Sequence, residues 1–187
     1  MSIKRLIVAT IVVGILGVTA SARAEETAFG GKGVYASAGG VYGVENFGFS
    51  GYDGSGGYDL RGGYRIVDMF AAEAEWQHFT KFKDKPGGTD LEAYALTVNG
   101  RFYPLTGRFQ PYALVGLGWF HGQADKVSNT YHAGSVGSRF ALGVDVYFTQ
   151  RLGGAVEAAY VLPLSGSMAS DDFDVIPITA SLFFHFN

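Results

Sequence analysis

From Gly33 to the C-terminus, eight stretches of about ten residues follow one another, with apolar side chains returning at every second position. Period two is the signature of a strand whose two faces meet different surroundings. In Phe140–Phe148, Phe140, Leu142, Val144, Val146 and Phe148 share one face, and Ala141, Gly143, Asp145 and Tyr147 share the other. Tyr94–Phe102 repeats the pattern, with Tyr94, Leu96, Val98, Gly100 and Phe102 opposite Ala95, Thr97, Asn99 and Arg101.

Connector lengths alternate. Long connectors are expected at about Val44–Gly57, Thr80–Asp90, Gly122–Gly134 and Pro163–Asp174, and short ones near Val67–Met69, Pro104–Arg108 and Thr149–Arg151. Strands of this length, joined by tight turns at one end and long loops at the other, predict an all-β fold. The expected architecture is an eight-stranded, antiparallel, up-and-down transmembrane barrel.

Alternation alone does not say which face points inward. The polar face mixes small residues (Gly63, Ala93, Ala95, Ala141, Gly143, Ala159) with charges of both signs, as a cramped lumen requires. The five lysines beyond the leader, Lys32, Lys81, Lys83, Lys85 and Lys126, are all expected outside the strands. The apolar face then meets lipid. In the stretch Tyr112–Phe120 both faces are small or apolar, and Ala113, Val115, Leu117 and Trp119 are placed outward.

The N-terminus reads as a secretory signal peptide over residues 1–24: Lys4 and Arg5, an apolar run from Leu6 to Val18, then Ala22-Arg23-Ala24, with cleavage after Ala24. The barrel domain is then 25–187. Losing Lys4, Arg5 and Arg23 leaves 11 basic against 17 acidic residues, a balance that speaks against nucleic-acid binding. Cysteine is absent, which excludes disulfides and thiolate metal sites.

The residues Gly33-Val-Tyr-Ala-Ser-Ala-Gly-Gly40, Gly62-Gly-Tyr-Arg65, Gln110-Pro-Tyr-Ala-Leu-Val-Gly-Leu-Gly118 and the aromatic final strand resemble the small outer-membrane barrels grouped as OmpA-like or OmpX/Ail-like. The resemblance spans Gly33–Asn187. It implies a cell outer-membrane protein that contacts outer-membrane lipids, lipopolysaccharide and the barrel-assembly machinery, and has a structural or adhesion-like role through four extracellular loops. Such families usually end on an aromatic residue, whereas here Phe186 is penultimate and Asn187 is last.

The lumen set read from the polar face is Arg61, Arg65, Arg101 and Arg139 with Glu73, Glu75, Asp145 and Glu157, four charges of each sign expected to pair and fill the bore. Lys81, Lys83 and Lys85 in the second long loop are candidates for lipopolysaccharide phosphates, and an extracellular surface ligand is a further expected partner. His78, His121, His132 and His185 do not fall at metal-ligand spacing, so neither metal nor cofactor is expected. No catalytic residue is assigned, because no His-x-Ser pair of the lipid A deacylase type occurs and His132-Ala-Gly-Ser135 lacks an acid partner in sequence. A lipid A-modifying enzyme and a narrow solute channel are the alternatives.

Overall fold

The computed structural model describes residues 29–45, 55–83, 90–126, 129–166 and 175–186. They form β1 (Gly33–Glu45), β2 (Ser55–Val67), β3 (Phe70–Lys83), β4 (Asp90–Phe102), β5 (Phe109–Lys126), β6 (Asn129–Tyr147), β7 (Leu152–Gly166) and β8 (Val175–His185). Every strand pairs antiparallel with its chain neighbours, and β1 closes on β8 from Tyr35↔His185 to Glu45↔Val175, giving a closed barrel. Closure leaves the sheet no free edge along its length, the condition for backbone that crosses hydrocarbon.

Side-chain parity follows the alternation read from the sequence. Leu60, Val98, Val115, Leu117, Phe140 and Leu182 are exposed on the outside, while Arg61, Glu75, Arg139 and Glu157 are buried on the inside. Ala113, Val115, Leu117 and Trp119 all point outward in β5. This inverted distribution, with arginines inside and leucines outside, is stable only where the surroundings are apolar.

Short turns gather at one end. Tyr103 N–H donates to Met69 O across two of them at 2.9 Å, and the third is tied by Leu152 N–H to Thr149 Oγ1 at 3.0 Å.

The strand ends differ from the sequence expectation at the other end. Where a connector over Gly122–Gly134 was expected, β5 and β6 remain paired down to Lys126↔Asn129. Lys81 and Lys83 lie within β3 and Lys126 ends β5, so the expectation of lysine-free strands fails. The reason is physical: pairing there uses main-chain groups that every residue carries, and the strands run on past the band where an apolar outer face is needed.

Candidate functional site: the ionic lumen

Inward parity brings charged side chains from β2, β3, β4, β6 and β7 together in mid-barrel. Arg61 reaches Glu157 fork to fork, with Nη1 to Oε2 at 2.9 Å and Nη2 to Oε1 at 3.1 Å, while its Nε donates to Asp59 Oδ1 at 2.7 Å. Arg139 Nη2 donates to Glu157 Oε1 at 2.6 Å, and its Nη1 donates to Glu75 Oε2. Arg101 lies 2.9 Å from Glu73 through Nε and 3.6 Å from Glu157 through Nη2. Glu157 therefore meets three arginines, and each of those arginines meets at least one further carboxylate.

Six of the eight lumen residues read from the sequence share this arrangement; Asp145 stands at its margin, 3.8 Å from Arg101. Arg65 is buried but set apart. It donates to Gln110 Oε1 at 2.7 Å and to the carbonyl of Asp68, and its guanidinium lies over the Tyr103 ring, 4.2 Å from the centroid. It braces the short-turn end of the barrel without joining a carboxylate.

The four-and-four set omits Asp59 and the neutral partners. Asp59, fully buried, adds a fifth carboxylate to the four-and-four set. Gln77 donates to Asp59 at 3.1 Å, Asn99 to Glu75 at 2.8 Å, Tyr35 to Glu73 at 2.9 Å and Tyr112 to Glu157 at 2.7 Å. Each sits at an inward position, so parity alone could have found them. A charged group withdrawn from water needs its remaining lone pairs filled, which is what these amides and phenols do.

Apolar layers bound the network on both sides. Toward the long-loop end Val41 and Phe79 pack with Ala93. Toward the short-turn end Tyr147, Ala155 and Phe183 pack with Phe29. Phe29 is held there by Gln110 Nε2, which donates to its carbonyl at 3.2 Å. Gly30 follows at φ +62°, where a Cβ would fall 1.9 Å from Tyr147 Oη, so the chain can pass beneath the tyrosine only as glycine.

Among the described residues, the three histidines of the remaining sequence candidates lie apart from one another. His78 Nε2 lies 2.6 Å from Glu92 Oε1 on the outer side, His121 packs on Tyr94 and Trp119, and His185 faces the lumen beside Tyr147. The side chains of His132, Lys81 and Lys83, and the whole of Lys85, lie outside the described residues. Among the described residues no three His, Asp or Glu side chains are arranged to hold a metal ion.

No described helix is long and apolar enough to cross a membrane. A closed barrel of eight strands, apolar outside and ionic within, crosses with its strands, and this defines an outer-membrane β-barrel. Residues 9–186 match the family model for the outer membrane protein beta-barrel domain, and the chain belongs to that family.

Solved structures agree on the fold. The chain is similar to the outer membrane protein OprG from Pseudomonas aeruginosa (19% identity, 84% of this chain and 98% of that one covered, TM-score 0.65). It is also similar to Ail, the attachment invasion locus protein of Yersinia pestis, solved with the heparin analogue sucrose octasulfate (12% identity, 83% and 99% covered, TM-score 0.61). Neisserial surface protein A is a third relative in fold (17% identity, 82% and 96% covered, TM-score 0.58). No curated protein sequence matches the chain.

Proposed function

We propose that this outer-membrane barrel is a non-enzymatic surface protein. In this reading the lumen is a structural plug and the working part is the end carrying the long connectors. The observation that carries it is the length of the β5–β6 hairpin. β7 follows β6 only as far as Ser135↔Gly166, yet β5 and β6 continue through six further register pairs to Lys126↔Asn129, with β4 paired to β5 as far as Asp90↔Asp125. A barrel that served only to span the membrane would not need so high a wall on one side. A rigid scaffold whose wall stands higher at β4–β6 than at β7 is suited to presenting that raised edge, with the β5–β6 hairpin at its tip, to a partner.

The fold relatives support this reading through the roles in their names, a surface protein and an attachment invasion locus protein, the latter seen with a sulfated sugar. Four inferences accompany it. Residues 1–24 are removed as a signal peptide; the barrel-assembly machinery inserts the chain with both termini in the periplasm; Lys81, Lys83 and Lys85 meet lipopolysaccharide phosphates; and the ion network closes the bore to solutes.

The test is an arm-shortened variant that joins Phe120 to Ser135 through a two-residue turn, expressed on cells and compared with wild type for adhesion to host matrix and to other cells. Retained heat-modifiable gel mobility would show that the barrel still folds. Loss of adhesion with a folded barrel is the expected outcome; unchanged adhesion would remove the arm from the function.

A further inference from the structure

Between the ion network and the short-turn end, Ser37, Arg101, Asp145, Ser181 and His185 surround a small cavity of about 10 Å³. Three atoms of this set lack a hydrogen bond within the protein; Arg101 Nε has the Glu73 carboxylate 2.9 Å away, which leaves Asp145 Oδ1 and His185 Nδ1, on residues only 3% and 4% exposed. Their other polar atoms are occupied. Asp145 Oδ2 accepts from Tyr103 Oη at 3.1 Å, and His185 Nε2 meets Tyr147 Oη at 3.0 Å. Arg101 Nη1 stays 3.8 Å from Asp145 Oδ1, too far to hydrogen-bond it.

Buried polar atoms are rarely left so, and a polar cavity of this size is where a guest satisfies them. The walls limit what that guest can be. The Arg101 guanidinium disfavours a cation, the Asp145 carboxylate disfavours an anion, and the volume excludes anything much larger than one water molecule. The serine hydroxyls supply the third and fourth hydrogen-bonding groups that a buried water commonly uses.

We propose that this cavity is a binding site for one water molecule, bridging Asp145 Oδ1 and His185 Nδ1 and anchored by Ser37 or Ser181. Water suits either imidazole tautomer. If His185 Nε2 accepts from Tyr147, Nδ1–H donates to the water; if Nε2–H donates to Tyr147, Nδ1 accepts from it. In both cases the water completes a hydrogen-bonded chain from Tyr147 through His185 and Asp145 to Tyr103. The margin of the ion network is thereby linked to the short-turn end of the barrel.

The experiment has two arms, both on the full barrel. In lipid vesicles, Ser181→Val puts methyl groups where the guest would sit. With water bound, the variant strands Asp145 and His185, and its unfolding equilibrium constant in urea rises about tenfold or more, as for a buried group that loses its partner. In a dry cavity the added carbons fill a void, and the constant is unchanged or falls. In detergent micelles, rotating-frame cross-relaxation between water and the His185 ring or the Tyr103 hydroxyl of the unaltered protein reads the guest directly. That signal decides the matter should the variant fail to insert. Cross-peaks of a long-lived water are expected; their absence overturns the proposal.

Discussion

Arg61 on β2 and Glu157 on β7 meet across the lumen as a bidentate pair, although their strands are separated in the sheet by β8 and β1. The bond is a strut between distant parts of the wall. Strand pairing fixes each strand to its neighbours only, so contacts of this kind hold the cross-section of so narrow a cylinder. Glu157 also takes Arg139 from β6 and lies within 3.6 Å of Arg101 from β4, so a single carboxylate ties three strands to β7's own position.

The first prediction concerns that carboxylate. Glu157→Gln keeps the shape but leaves Arg61, Arg101 and Arg139 short of a counter-charge in a buried setting. Breaking one side of a buried ion pair costs about 3–5 kcal/mol. Reversible urea unfolding in lipid vesicles measures it. A loss below about 0.5 kcal/mol, the range of ordinary surface changes, would mean that the network does not hold the barrel.

Much of this arrangement was open to sequence reading, and the part that was not has a physical cause. Parity along a strand fixes the face, so Arg61, Glu75, Arg139 and Glu157 were placed inward without any knowledge of their partners. Partners depend on how neighbouring strands slide past one another, which alternation does not encode. Asp59, on the same face as Arg61 and two residues away, is inward by the same parity; what alternation does not encode is its register opposite Gln77 on β3, which donates to it. The β5–β6 arm escaped for a related reason. Gly122, Asp125, Asn129 and Gly134 carry turn-forming chemistry, yet the backbone pairs through all of them. Lys81 and Lys83 in β3 show the same limit.

The lumen makes a second prediction. With Val41 and Phe79 packed on one side of the network and Tyr147 and Phe183 on the other, the unaltered protein in planar bilayers shows no porin-sized conductance. Single removal of Phe79 by Phe79→Ala leaves the ionic layer in place and the bilayer still tight. Combined Arg61→Ala, Arg139→Ala and Glu157→Ala removes the layer itself and produces small, discrete current steps. Large steps from the unaltered protein would refute the closed bore.

Outward parity can be tested optically. Trp76 and Trp119, 37% and 46% exposed on the outer face, sit in the lipid-facing half of the alternation. In vesicles their emission is blue-shifted, quenched by brominated acyl chains and indifferent to aqueous acrylamide. Quenching by acrylamide alone would place these rings in water and reverse the inside and outside of the barrel.

Gly62 and Gly63 are neighbours in sequence with opposite tolerance for a methyl group. A Cβ on Gly62 points outward and meets nothing within 4 Å, while one on Gly63 points into the lumen and falls 2.4 Å from the Tyr35 ring. Tyr35 cannot retreat without giving up its bond to Glu73, so the strain passes into the network. Gly63→Ala therefore destabilises by about 1–3 kcal/mol, the usual cost of an overpacked core. Gly62→Ala is neutral or stabilising by up to about 1 kcal/mol, because a strand residue with a side chain gives up less backbone entropy on folding than glycine does. Urea unfolding of the two variants side by side reads the difference. Equal effects would show that the Tyr35 ring does not occupy the lumen opposite Gly63.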